Sequence, residues 1–137
     1  MELFAYYVSS YVFLVPLSVM ILAEATKHLN EGVLHGIWFQ HGGMPSSHSA
    51  FVASLMMVVA EKDGIGGTTF AIATVLACIV WYDAAFVRSQ VGKQARALNV
   101  LQQFQAFSER VGHSVSEVVV GVAFGVIVTW FGIWWLG

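Results

Sequence analysis

From Val118 to Leu136 the chain carries no charged side chain. A run of that kind approaches the roughly 20 residues an α-helix needs to cross the hydrocarbon of a bilayer. Including its polar start, this segment is Ser116 to Leu136. Three further apolar runs precede it: Leu3 to Ala25, Ser46 to Ala60 and Thr68 to Val87. Together they occupy most of the 137 residues, and only 10% of the side chains are charged while 58% are hydrophobic. Soluble domains carry about 25% charge. The mean hydropathy of +0.74 agrees. The expected fold is an all-α, polytopic membrane helix bundle of about four spans, forming one domain over residues 1–137.

Between the third and fourth runs the texture changes. Val91, Ala95, Leu98, Leu101, Phe104, Phe107 and Val111 recur every three or four positions, with Lys93, Gln94, Arg96, Asn99 and Gln102 among them. That spacing predicts an amphipathic interfacial helix near residues 91–111, lying on the membrane surface or over the bundle end. The net charge of −2 offers no footprint for nucleic acid. The single Cys78 forms no internal disulfide and reads as a small buried hydrophobe. Glu2 and the lack of Lys or Arg before Lys27 argue against a cleavable signal peptide.

Four spans place both termini on one side, with residues 26–46 and 88–112 on the other. The loop side then holds Lys27, Arg88, Lys93, Arg96 and Arg110, against Lys62 opposite. Basic residues favour the cytoplasm, so the loops are expected there.

Chemistry-bearing residues concentrate in those loops. Gly42-Gly43-Met44-Pro45-Ser46-Ser47-His48-Ser49-Ala50 breaks the chain and then starts a helix. Ser46 or Ser47 can cap that start, whose orphan N–H groups attract anions. His48 is then either a proton donor at a phosphate site or a surface histidine beside a cap. His113 and Glu117, four apart, share a helix face. The carboxylate would fix the imidazole tautomer and leave the other ring nitrogen nucleophilic. Equally, Ser114 and Glu117 fit a simple capping box. Lys27 and Arg88 either hold phosphate or snorkel from span ends. Asp83, costly within a span, calls for a partner or a function, whereas Glu24 reads as structural. His28, His35 and His41 match no metal-ligand spacing. Gly121 and Gly125 mark a close helix contact, within the subunit or between copies in a homo-oligomer.

Through Lys27, residues 42–50, Tyr82-Asp83-Ala84, Val87-Arg88, Gly92-Lys93-Gln94-Ala95, Leu98-Asn99, Gly112-His113, Glu117-Val118 and Gly121, the chain resembles the divergent membrane relatives of type-2 phosphatidic acid phosphatases. These are also called acid phosphatase/vanadium-dependent haloperoxidase-related proteins. The wider superfamily carries Lys-x6-Arg-Pro, Pro-Ser-Gly-His and Ser-Arg-x5-His-x3-Asp. Pro45-Ser46-Ser47-His48 is similar to the second, and His113-x3-Glu117 to the end of the third. Leu34-His35 stands where Arg-Pro would be, and Phe107 takes the other arginine's place. Arg88 is the candidate replacement, with Arg110 in reserve.

The resemblance implies a metal-free lipid phosphate phosphatase with no cofactor. It would act through a phosphohistidine, and the expected cytoplasmic side suits a phosphatidylglycerophosphate- or phosphatidate-type substrate. In this scheme His113 attacks phosphorus, Glu117 orients it, and His48 protonates the leaving group. Lys27, Ser46, Ser47 and Arg88 would bind the phosphoryl oxygens, supported by Asp83, Asn99 and Arg110. A non-catalytic lipid-phosphate binder or carrier, and a polyprenyl diphosphate phosphatase, are the alternatives.

Overall fold

The computed structural model describes residues 12–31, 43–102, 104–109 and 111–136, and every regular element among them is helical. In chain order they are α1 (Leu14–Glu31), α2 (Ser47–Asp63), α3 (Thr68–Tyr82), a π-helical turn (Asp83–Val87), α4 (Arg88–Leu101) and α5 (Val115–Leu136). The all-α reading holds.

Helix α2 lies at the centre and packs against α1, α3 and α5. Its small side chains explain this position. Ser47, Ser49, Ala50, Ala53 and Ser54 are buried along it, and small residues let helix backbones approach closely. Val19 and Ala23 of α1 join Ala50 in the core, with Phe124 and Val128 packed on them. The buried Thr129 hydroxyl donates to Ser54 Oγ at 2.6 Å, tying α5 to α2 where no water reaches.

Gly121 and Gly125 decide the direction of the closest contact. A Cβ on Gly121 would stand 2.5 Å from the Ser46 carbonyl oxygen, and one on Gly125 2.4 Å from that of Ala50. The glycine pair therefore faces α2 of its own chain. Of the two readings the spacing left open, within the subunit or between copies, this contact is the one within the subunit.

The outer surface is apolar. Ile72, Val75 and Ile79 of α3 and Val119, Ile127, Trp130 and Trp134 of α5 are exposed. Tyr82 stacks on Phe86 at the π turn, and Trp130 meets Phe131 edge-on near the end of α5. Aromatic side chains favour the two water–bilayer boundaries. Among the described residues, two helical stretches are long and apolar enough to cross a membrane: Thr68–Leu101 and Val115–Trp135.

Three boundaries differ from expectation. Helix α1 continues through Lys27 and His28 to Glu31, because no glycine or proline interrupts it before Gly32 and Lys27 turns inward. The part of the first apolar run over residues 3–11 lies outside the described residues. The amphipathic helix expected over 91–111 is not a separate element and is shorter. It grows out of α3 through the π turn and ends at Leu101. Gln102 is extended, and its side-chain oxygen accepts from the Phe104 and Gln105 amides, diverting the backbone from helix.

After Leu101 the chain returns along α4 as a strap whose described residues, 104–109 and 111–114, form no regular element. Asn99 holds it at both ends of its amide. Nδ2 donates to the Phe107 carbonyl and Oδ1 accepts from the Phe107 amide, each at 2.9 Å. Gly92 lets the strap lie close, since a Cβ there would be 2.6 Å from the Glu109 carbonyl oxygen. The strap delivers Gly112 and His113 to the π turn.

Candidate active site

Helix α2 begins at Ser46, whose side chain is fully buried and accepts from the Ser49 amide at 3.4 Å and the Ser49 hydroxyl at 2.9 Å. Ser46 is thus the N-cap. Its hydroxyl oxygen accepts both capping bonds. Ser47 is also buried. What the helix start presents is the Ser47 and His48 amides, which have no intrahelical acceptor. The Ser46 amide donates to the Glu117 carbonyl at 3.4 Å, so the starts of α2 and α5 are joined. His48, in the first turn, is exposed.

At the start of α5 both readings of the sequence hold together. The Ser114 amide donates to Glu117 Oε2 at 2.8 Å, and the Glu117 amide donates to Ser114 Oγ at 3.3 Å, completing a capping box. The same Oε2 lies 3.3 Å from His113 Nδ1. One carboxylate caps the helix and orients the imidazole, leaving Nε2 as the other ring nitrogen. The His113 side chain is nearly buried and that of Glu117 largely so.

The π turn positions the rest. In an α-helix a five-residue step lands on another face, but here the Arg88 amide bonds to the Asp83 carbonyl and widens the turn. Arg88 Nε then reaches Asp83 Oδ2 at 2.6 Å. The Ala84 carbonyl accepts from the His113 amide at 3.0 Å. Gly112, at φ +99°, lies against Arg88, where a Cβ would come within 2.7 Å of Arg88 Cβ. Only glycine adopts that backbone at that approach without strain.

Lys27 is 4% exposed despite its charge, and its Nζ lies 3.4 Å from Glu24 Oε1. Four charged side chains act on His48: Arg88, Glu24, Lys27 and Asp83. Lys27 and His48 act in turn on His113. His48, His113, Glu117, Lys27, Arg88 and Asp83 are thus gathered at one end of the bundle. Burial, mainly, holds the His113 imidazole below the ordinary histidine range. Glu117 opposes this, while the Lys27 and His48 charges add to it.

Asn99 fastens the strap. Arg110 and His35 lie outside the described residues. The strap also builds something periodicity does not signal. A cleft of about 520 Å³ opens between it and α4, lined by Ser89, Lys93, Arg96, Glu109, His113 and Ser114 among others.

Over the described residues these features define an all-helical protein with two membrane-length apolar stretches and two histidines gathered with charged side chains of both signs at one end of its bundle. The chain belongs to the divergent PAP2 family, whose family model matches residues 8–128. It is 32% identical over 108 residues to the uncharacterized membrane protein YuiD of Bacillus subtilis (strain 168), an alignment covering 64% of this chain and 68% of that protein. No solved structure matches it.

Proposed function

We propose that this chain is a metal-independent phosphatase of membrane lipid phosphomonoesters, of the phosphatidylglycerophosphate or phosphatidate type. The observation that carries the reading is His113, its Nδ1 held 3.3 Å from Glu117, within electrostatic reach of both Lys27 and His48. Membership of a PAP2-like family supports phosphatase chemistry.

The steps follow from the residues. His113 Nε2 attacks phosphorus, and a phosphorus–nitrogen bond forms as the ester phosphorus–oxygen bond breaks. The bond electrons leave on the lipid alkoxide, which His48 protonates. Water then attacks the phosphohistidine, giving its proton to His48, and inorganic phosphate departs from the restored imidazole. Lys27, Arg88 and the first-turn amides of α2 stabilise the charge that gathers on the phosphoryl oxygens. Asp83 aims the Arg88 guanidinium, leaving its outer N–H groups for those oxygens.

In this reading the chain crosses the bilayer four times, with the short helices α1 and α2 completing the bundle. The Thr68–Leu101 helix would be about 51 Å long, beyond the roughly 30 Å of hydrocarbon, so its polar α4 part extends past the apolar layer. The name of the YuiD relative supports membrane residence. In the sequence, residues 26–46 and 88–112 carry five of the six Lys and Arg residues, while Lys62 sits in the last turn of α2. The site therefore faces the cytoplasm. A single cysteine introduced as Lys93→Cys in a Cys78→Ala background is expected to resist an impermeant thiol reagent in intact cells and to react once the membrane is opened. Rapid labelling from outside reverses the orientation.

A second reading is a lipid-phosphate binder that lacks turnover. It is favoured by Phe107 at the place of a superfamily arginine, where its backbone is fastened to Asn99 on the strap. Phosphate release by purified protein from a panel of lipid phosphates, polyprenyl diphosphates included, separates the readings. Release from phosphatidate or phosphatidylglycerophosphate supports the phosphatase, binding without release the carrier.

The acid limb of the pH profile carries its own expectation. The attacking imidazole must be neutral, and the lowered His113 value keeps it neutral as the pH falls. The kcat/KM is expected not to turn down as the pH falls to ~6.5, the ordinary histidine value, and to drop only below it. A limb that turns down above that value contradicts the buried imidazole as nucleophile.

A further inference from the structure

Lys93 and Arg96 take no part in the scheme above, yet they border the same histidine. They stand three residues apart on α4 and share a face. That face forms one wall of the 520 Å³ cleft, and His113 and Ser114 form part of another. The volume falls within the range of small-molecule sites and exceeds what one phosphoryl group fills. Lys27 and Arg88 are not among its lining residues, so its cations are a separate set.

The cleft is built by specific contacts. Gly92 admits the strap to within touching distance of α4, and Asn99 clamps it in place. Asn99 Nδ2 also donates to Glu109 Oε1 at 3.0 Å, and Glu109 Oε2 meets Arg96 Nε at 3.3 Å. Glu109 thereby orients the guanidinium while leaving its outer N–H groups for an incoming acceptor. The pair is exposed, 78% for Arg96, so it adds little to stability and yields readily to a better anion. Lys93 is exposed and has no ion pair among the described residues.

We propose that this cleft is a subsite for a second phosphate, so that the favoured substrate is a lipid bearing another phosphate beside the one transferred to His113. The proposal rests on the phosphatase reading. Lys93 and Arg96 bind the second phosphate while Lys27 and Arg88 hold the first. The second phosphate is either separated from the first by a short polyol, as in phosphatidylglycerophosphate, or adjacent to it, as in an isoprenoid diphosphate.

The test compares phosphatidylglycerophosphate, farnesyl diphosphate and phosphatidate with the full chain in detergent micelles, as wild type and as Lys93→Ala/Arg96→Ala. Wild type is expected to favour one of the two-phosphate lipids over phosphatidate in kcat/KM. That ratio is expected to fall about tenfold or more per cation removed, the scale of a charge-assisted hydrogen bond. The favoured lipid identifies the spacing. Lys62→Ala, at the other end of α2, leaves the ratio unchanged. If the double variant does not fold, the exposed Lys93→Ala alone is read the same way.

Equilibrium binding of the three lipids to His113→Ala protein, with and without the two substitutions, separates the proposal from its parent. No release from any lipid, with a two-phosphate binding preference that the substitutions erase, overturns the phosphatase and upholds the subsite. Turnover with no two-phosphate preference, or with a ratio the substitutions do not move, overturns the subsite alone. Neither release nor preference overturns both.

Discussion

His113→Ala protein releases phosphate from a lipid phosphomonoester no faster than buffer does. Among the described residues, His113 is the histidine with a carboxylate on Nδ1 and burial that keeps the ring neutral. Removing it leaves the covalent step without a nucleophile, and positioned cations alone do not supply one. His48→Ala is milder, a loss of about 10²- to 10⁴-fold, the usual share of general acid–base assistance. Vanadate, which takes up the trigonal-bipyramidal geometry of phosphoryl transfer, inhibits wild type, and chelators do not. The fold survives the alanine, because the Ser114–Glu117 capping box is independent of the ring. An unchanged unfolding midpoint accompanies the lost activity. Full turnover by His113→Ala would refute the assignment, as would activity that returns only with an added divalent metal.

The second large effect is structural. Gly125→Val places its new Cβ 2.4 Å from the carbonyl oxygen and 2.8 Å from the Cα of Ala50, backbone atoms that no rotamer moves aside. The two helices must separate, opening the interface that holds the Thr129–Ser54 hydrogen bond. Overpacking of this kind costs about 3 kcal/mol, or more where backbone meets backbone. The same displacement pulls Ser46 from Glu117 and so parts the helix starts that carry His48 and His113. Stability and turnover therefore fall together. Gly132→Val, on the same helix with nothing within 4 Å of its Cβ position, is the control and leaves both nearly intact. Thermal unfolding in detergent with a parallel phosphate assay reads both. Equal midpoints for the two variants would show that the contact is not the one described.

Local information determined much of this protein. The uncharged run ending at Leu136 is a helix because a chain with that composition satisfies its backbone within the segment. Ser46 caps α2, and His113 meets Glu117, because both relations span three or four residues, within one helical turn. The family was legible for the same reason, since its motifs are short and start helices. The tertiary structure decided the rest. Periodicity extended the amphipathic helix through Val111, but Gln102 stops it and the pairing of Asn99 with Phe107, eight residues on, turns the chain back. The spacing of the glycine pair suits a contact with another copy as well, and the approach of α2 makes it internal. Arg88 reaches Asp83 only because the helix widens there, and the Lys93–Arg96 cleft exists only because Gly92 admits the strap. Each of these depends on which distant backbone approaches a given residue. Residue spacing along the chain encodes the face of a helix, not what packs on it.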